Sequence, residues 1–230
     1  MTELKRNSGD QLFIWIVAGL FGIVLAMFAV VGVSLIAAGN TTGWVLIVFA
    51  LPFAWLGGYV YREAAARSFT RIAVDAAGVQ LRLPARRSYV PLEKIETSVP
   101  LSAIRAIEAR TEAFRALGTT VLQRAFSLLL TDNSRIVLGA DRRFTQPYFQ
   151  TAASAISAQT QIAVRDLGLV DANAGFMMIA GHSAPPWDAA AVAPDTMQKR
   201  YSDESRGMRI AMIVAAAAAA VGALSRAFGG

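Results

Sequence analysis

The chain has 230 residues, of which 55% are apolar and only 17% are charged, and it contains no cysteine and a single histidine. This composition excludes a disordered chain, which would be polar and charge-rich, and it excludes disulfide scaffolds and thiolate–metal chemistry. The net charge of +6 fits nucleic acid, a membrane surface or the cytoplasmic side of a membrane. Arginines are spread along the chain without an aromatic–basic stripe, so we expect no nucleic-acid partner.

Two long uncharged runs open the chain. Residues 12–38 and 44–61 carry no charged side chain, and about 20 apolar residues suffice to cross a bilayer. The five residues between the runs, Gly39-Asn-Thr-Thr-Gly43, are typical of a turn. Because this connection is so short, the two runs must be antiparallel. The sequence therefore predicts a transmembrane hairpin over residues 1–67.

Lysine and arginine flank this hairpin and are missing from its loop. Lys5 and Arg6 precede the first run, whereas Arg62, Arg67 and Arg71 follow the second. Positive residues favour the cytoplasmic side of a membrane, so we expect the N-terminus and the main soluble domain in the cytoplasm. The bias towards alanine and arginine indicates a bacterium, and the predicted location is its inner membrane.

Small residues form a ridge on the first run. Ala18, Gly22 and Ala26 (the small-residue ridge) are spaced four apart, and Gly57 lies in the second run. This spacing lets another helix approach closely. That helix is either the second span or part of a different protein. Neither run holds a charged residue, which argues against a transporter or channel.

After residue 68 the pattern changes to short strands and then to a helix. Segments 69–75, 79–83 and 87–92 have strand character, and 104–111 fits a strand or a helix. A hairpin is predicted where 126–131 and 135–138 flank the turn at 132–134. Helical spacing over 146–160 follows, with Thr145 as the expected N-cap. One stripe of that helix holds Tyr148, Phe149, Ala152, Ala153 and Ile156.

These segments carry a resemblance to a known group of proteins. Ile72-Ala-Val-Asp75 with Gly78-Val79, Val90-Pro-Leu92 with Ile95, Leu128-Leu-Leu-Thr-Asp132 with Arg135-Ile-Val-Leu138, and the helix from Pro147 follow one another in that order. After a two-span hairpin, this order resembles the bacterial PH-like (pleckstrin-homology-like) domain membrane proteins. The resemblance implies an α+β membrane protein with a cytoplasmic PH-like β-sheet domain over 68–165, a closing helix and no enzymatic activity. Residues 101–124 depart from the pattern, because they are longer and richer in arginine than a simple connection.

The C-terminal third is expected to be less regular. Glycine and proline punctuate residues 166–206, which predicts an irregular linker that lies on another surface, since its 176–179 patch is apolar. Residues 210–224 are uncharged and follow four basic residues. We expect a third transmembrane helix over 207–230. The alternative is an alanine-rich helix that lies on the membrane or against a partner.

Five arginines in predicted turns are candidates for contact with lipid headgroups, worth about 1 kcal/mol each near an anionic surface. They are Arg82, Arg86, Arg87, Arg142 and Arg143. The alternative is that these are ordinary solvated turns. Trp187, which follows two prolines, is a candidate docking point for a partner, or else it packs on the domain or the membrane.

The remaining ionisable residues favour no catalytic site. His182 is expected to be a loop histidine, because its neighbouring serine is poorly placed for a base–nucleophile pair. Glu108 and Glu112, interleaved with arginines, are expected to form surface ion pairs rather than an acid/base pair. We expect no catalytic, cofactor-binding or metal-binding residues.

The hypothesis that follows is a non-enzymatic scaffold, assembly factor or accessory subunit of a larger membrane complex. Its expected partners are membrane lipids and another membrane protein or complex. The alternative is a protein that binds or modifies lipid headgroups at the cytoplasmic membrane surface.

Overall fold

The fold is α+β, with two long apolar N-terminal helices and two four-stranded sheets. The computed structural model describes residues 2–4, 8–85, 92–116, 119–142, 146–172, 184–207, 209 and 213. The helices are α1 (Ser8–Ala37), α2 (Thr42–Phe69), α3 (Tyr148–Thr160) and α4 (residues 194–207). The strands are β1 (Thr2–Leu4), β2 (Arg71–Val74), β3 (Gly78–Pro84), β4 (Lys94–Pro100), β5 (Ile104–Ala116), β6 (Thr119–Leu130), β7 (Arg135–Arg142) and β8 (Val164–Asp171).

The two N-terminal helices form the predicted hairpin. At about 1.5 Å per residue they are about 45 and 42 Å long, which exceeds the ~30 Å of hydrocarbon in a bilayer. In the described part of the chain, these two helices are long and apolar enough to cross a membrane. Only 6% and 11% of their most apolar windows are buried, so neither is the core helix of a soluble domain. The predicted turn is confirmed, and Asn40 Oδ1 accepts the Thr42 N–H at 2.9 Å.

The hairpin is joined to the first sheet at both of its chain ends. Helix α2 ends at Phe69 and β2 begins at Arg71, while β1 precedes α1 and pairs antiparallel with β2. At the same end, Trp15 Nε1 donates a hydrogen bond to Ser68 Oγ at 2.9 Å. Strand β1 was not predicted, because it is three residues long and its partner is about 70 residues away. Only the folded hairpin brings the two together.

Most of the predicted strands lie where the sequence places them. The first sheet has the order β1-β2-β3-β4 and is antiparallel. The second has the order β7-β6-β5-β8, in which β8 is parallel to β5. The hairpin of β6 and β7 is confirmed. The ambiguous segment 104–111 is a strand, and 101–124 forms most of the β5/β6 hairpin. Most of the predicted 87–92 strand lies outside the described residues.

Helix α3 covers the core between the two sheets. Its predicted stripe is buried in full, and it packs on inward-facing residues such as Ile72, Leu81 and Phe126. Asp141, at the end of β7, accepts hydrogen bonds from the Phe149 and Gln150 N–H groups at 3.1 and 2.8 Å. This carboxylate satisfies donors that the first turn of a helix leaves unpaired. The predicted N-cap, Thr145, lies outside the described residues.

Gly139 is a position where a side chain is excluded. Its φ is +149°, and a Cβ there would lie 2.2 Å from the Phe149 ring. We expect Gly139→Ala to lower the free energy of unfolding by about 1–3 kcal/mol, because α3 must shift away from β7. Thermal unfolding of the purified protein tests this. The control is Gly19→Ala, since a Cβ at Gly19 meets nothing within 4 Å, and an equal loss in both variants would contradict the expectation.

The prediction that 166–206 is irregular is wrong at both ends. Residues 166–171 belong to β8 and residues 194–207 form α4. Gly168, with φ +81°, lies beside a register irregularity in β8 and breaks the alternation by which a strand is recognised. The Val192 N–H bonds to the Leu169 carbonyl at 2.7 Å, which holds the segment before α4 against β8. The patch at 176–179 lies outside the described residues. So does nearly all of the expected third span over 207–230, of which only residues 207, 209 and 213 are described, all three helical.

Candidate functional site

The predicted headgroup-facing arginines are not all in turns. Arg82 lies inside β3, where its Nε is 2.8 Å from Glu96 Oε1, and Arg142 is the last residue of β7. The two therefore belong to different sheets. Arg86, Arg87 and Arg143 lie outside the described residues. The structure thus pairs Arg82 with a carboxylate and does not bring the described members of this set into one strand pair.

A different pair of basic residues lies where the hairpin meets the first sheet. Arg71, the first residue of β2, lies two residues after the end of α2, and its side chain is exposed, with Nε 3.9 Å from a carboxylate oxygen of Glu3. Lys94, at the start of β4, places its Nζ 5.2 Å from the centre of the Phe69 ring. These positive side chains lie at the end of α2 where the chain is expected to leave the membrane.

The small-residue ridge does not form the contact between α1 and α2. A Cβ added at Gly22 would meet nothing within 4 Å, whereas one at Gly43 would lie 2.4 Å from the Gly32 carbonyl oxygen. At Gly57, the nearest atom to such a Cβ is Phe21 Cβ, at 3.3 Å. The hairpin is therefore packed through Gly32, Gly43 and Gly57. Of the ridge, Ala18 is half-buried, and Gly22 and Ala26 are exposed.

Trp187 packs on the second sheet rather than standing free. Its ring lies against the Arg110 guanidinium, with 4.2 Å from Cζ to the ring centre, and the Arg135 Cζ lies at 5.2 Å. The Arg110 guanidinium also donates hydrogen bonds to the carbonyl oxygens of Pro185 and Pro186. We call Pro185, Pro186 and Trp187 the strap, because they cross one face of the second sheet. The charged side chains of that face, which include Arg110 and Arg135, give it the name charged face.

Arg110 and Glu112 form a buried ion pair under the strap. Arg110 donates from Nε and NH2 to Glu112 Oε1 at 3.0 and 2.8 Å, and the two side chains are 1% and 0% exposed. The other oxygen of Glu112 accepts from Gln123 at 3.0 Å. The expectation of surface ion pairs is wrong here. Residues two apart in a strand share a face, so the alternating charges of 108, 110 and 112 lie together. Glu108 and Glu112 are four residues apart, a spacing that places them on one face in a strand as well as in a helix.

A second ion pair and an unpaired hydroxyl complete this charged face. Arg135 NH2 donates to Glu108 Oε2 at 2.7 Å, and Glu108 is buried. Ser127 is directly opposite Glu108 across β5 and β6, which places the two side chains on the same face. The Ser127 Oγ is buried and has no hydrogen-bond partner among the described residues. The charged face thus holds two Arg–Glu pairs, and its Ser127 hydroxyl and Arg135 Nε have no hydrogen-bond partner among the described residues.

Helix α4 packs on the second sheet mainly through apolar side chains, unlike the strap. Its Met197 and Tyr201 pack, with Val192, on the buried apolar residues Ala113, Leu122 and Leu169. Two polar contacts fix its position. Glu204 Oε1 accepts the buried Leu122 N–H at 3.0 Å. Arg200 pairs with both oxygens of Asp171, at 2.9 and 2.7 Å.

The chemistry of these features favours binding. Within the described ranges, no three His, Cys, Asp or Glu side chains are grouped to hold a metal ion. His182 lies outside those ranges. The buried charges of this face form ion pairs with each other, and Arg110 also donates hydrogen bonds to backbone carbonyls of the strap. Sequence analysis missed this charged face, and the signal that would have found it is the period-two alternation of charge at residues 108–112.

Comparison with known proteins assigns this chain to no family. The chain matches no protein-family model, no curated protein and no solved structure at a significant level.

Proposed function

We propose that this chain is a non-enzymatic integral protein of a bacterial inner membrane, acting as a scaffold, assembly factor or accessory subunit of a larger membrane complex. The observation that carries the proposal is the open face of the hairpin. Large apolar side chains of α1 and α2, such as Leu20, Met27 and Trp44, are exposed, and Gly22 is open. A bilayer covers the large side chains, and a partner helix fits the small-residue ridge.

The proposal includes a PH-like domain in the cytoplasm. The order of β2 to β4, then β5 to β7, then α3 supports the likeness, in which strands are followed by one closing helix. Strands β1 and β8 and helix α4 are additions to that pattern. The basic residues Arg62, Arg67, Arg71 and Lys94 lie at the domain end of α2 or beside it, which supports a cytoplasmic domain.

Co-purification of a membrane partner tests this function. The tagged protein, produced at native level, is purified in mild detergent, sized, and analysed by quantitative mass spectrometry. We expect a stoichiometric membrane protein to co-elute. We expect Gly22→Leu to lower its yield on the order of tenfold, since each 1.4 kcal/mol of lost contact energy weakens binding tenfold, and a bulky side chain prevents close approach of a helix.

The matched control is Leu20→Phe on the same helix, because Leu20 is 55% exposed and, two residues from Gly22, lies on the opposite side of the helix from the small-residue ridge. This variant adds bulk to the apolar surface of α1 and should keep the partner. Gly57 is unsuitable as a probe, since it contacts Phe21 within the hairpin. If the wild-type protein elutes as a clean monomer or homo-oligomer carrying only lipid, the accessory-subunit proposal is wrong.

A lipid-headgroup function is the second candidate, and one observation favours it. The exposed Arg71 and Lys94 lie at the end of α2, where anionic headgroups would be found. If only lipid co-elutes, we expect Arg71→Glu with Lys94→Glu to reduce the retained anionic lipid. The control, Arg105→Glu, changes an exposed arginine that bonds to Asn133 and should leave the lipid unchanged.

A further inference from the structure

The strap and α4 cover the second sheet in two different ways. Helix α4 lies on apolar side chains that would be unfavourable in water, namely Ala113, Leu122 and Leu169. The strap instead lies over charged side chains, with Arg110 and Glu112 beneath it. Charged groups become hydrated when uncovered, whereas apolar groups do not. Release of the strap is therefore less costly per residue than release of α4.

The strap contacts the charged face through backbone carbonyls and one aromatic ring, and the chain turns there, since the Ala189 N–H bonds to the Pro186 carbonyl at 3.1 Å. Proline has no N–H to donate, so the carbonyl oxygens of Pro185 and Pro186 are the strap atoms that hydrogen-bond to Arg110. An aromatic ring follows and stacks on two guanidinium groups. Because proline fixes φ at two positions of the strap, a Pro-Pro-aromatic segment loses little conformational entropy when it binds in this way.

The strap also leaves part of the charged face unused. The Ser127 hydroxyl, buried on that face, has no hydrogen-bond partner among the described residues. Pro186 is exposed, and Pro185 and Trp187 are only half-buried. The strap is thus accessible from solvent and does not satisfy every polar group of the surface that it covers.

We propose that the charged face of the second sheet is a recognition site for a Pro-Pro-aromatic turn of a partner protein, and that the strap occupies this site in cis. A partner segment of the same chemistry competes with the strap for Arg110, Glu112 and Arg135. Displacement leaves α4 in place. This inference goes beyond the proposed function and can fail separately from it, because the site lies on the two-sheet part of the chain (the β-domain) and does not involve the small-residue ridge.

Fluorine NMR of the full chain in nanodiscs tests the proposal. The four tryptophans are replaced by 5-fluorotryptophan, and Trp187→Phe assigns the Trp187 resonance. The probe is the synthetic peptide Ala-Pro-Pro-Trp-Asp-Ala, which copies residues 184–189. We expect this peptide to shift the Trp187 resonance saturably, while the resonances of Trp15, Trp44 and Trp55 stay unchanged. The control peptide Ala-Ala-Ala-Trp-Asp-Ala should shift none of them.

A weakened strap provides the matched variant. In the double variant Pro185→Ala with Pro186→Ala, we expect the proline peptide to bind at least about tenfold more tightly, because a cis competitor at an effective concentration of order millimolar is removed. Hydrogen exchange of the Leu122 N–H, which bonds to Glu204, should stay slow at saturating peptide. The proposal is overturned if millimolar proline peptide leaves Trp187 of the wild-type chain unshifted, if both peptides act equally, or if Leu122 exchanges quickly once Trp187 moves. If the double variant does not fold, the wild-type titration with the two peptides decides.

Discussion

Replacing Glu112 with alanine is expected to destabilise the β-domain by about 3–5 kcal/mol, the largest effect of any single change considered for this protein. The change leaves the Arg110 guanidinium buried without its carboxylate, since the two side chains are 1% and 0% exposed. Hydrogen bonds from Arg110 to the strap carbonyls remain but bring no negative charge. At about 2–4 °C per kcal/mol, we expect the thermal midpoint to fall by roughly 6–20 °C.

An exposed ion pair in the other sheet serves as the control for this prediction. Glu96 pairs with Arg82, and the two side chains are 63% and 36% exposed, so water still solvates the arginine when the carboxylate is removed, and Glu96→Ala should cost about 1 kcal/mol or less. Replacing both buried partners, Arg110→Met with Glu112→Leu, should recover most of the loss, because no unpaired charge then remains. Equal midpoints for the Glu112 and Glu96 variants would show that the Arg110 pair is not buried in solution.

Gly43→Ala is expected to destabilise the hairpin by about 1–3 kcal/mol. In a helix this substitution normally stabilises by up to about 1 kcal/mol, so the sign itself is informative. Here the added Cβ would lie 2.4 Å from the Gly32 carbonyl oxygen and 2.7 Å from Ile36 Cγ1. The backbone oxygen cannot rotate away, and the two helices must separate at the loop end.

Gly58→Ala in the same helix is the matched control. A Cβ at Gly58 meets nothing within 4 Å, so this variant should be neutral or slightly more stable than wild type. Unfolding in mixed micelles with a rising SDS fraction, followed by tryptophan fluorescence, compares the two. A gain of stability in the Gly43 variant would mean that the helices do not approach each other as the structure shows.

The elements that could be predicted are those whose signal lies within one short segment of the sequence. The hairpin, its turn, the β6/β7 hairpin and the buried stripe of α3 follow from runs of apolar residues, turn residues and helical spacing. Each of these signals is contained within one segment of about 10 to 30 residues. The residue pattern at 104–111 fits a strand or a helix. Its strand conformation became clear only from the pairing of β5 with β6 and β8.

The features that carry the functional proposals were harder to predict, because they join distant segments. Arg110 meets the strap across 75 residues, and Glu204 meets Leu122 across 82. Neither contact leaves a periodic signal. The small-residue ridge was visible in the sequence, but its openness was not, since the choice between Gly22 and Gly43 as the packing site depends on how the two helices cross.

The sequence alone determined that two uncharged runs would form an antiparallel apolar hairpin and that a strand-rich segment with a closing helix would follow. These outcomes rest on the spacing of apolar residues and on turn residues, both of which are local features of the sequence. Only the tertiary structure decided that the N-terminus adds a strand to the first sheet, that charges at 110 and 112 are buried, and that Trp187 lies over them. The physical reason is that burial of a charge depends on what covers it, and here the cover comes from a distant part of the chain.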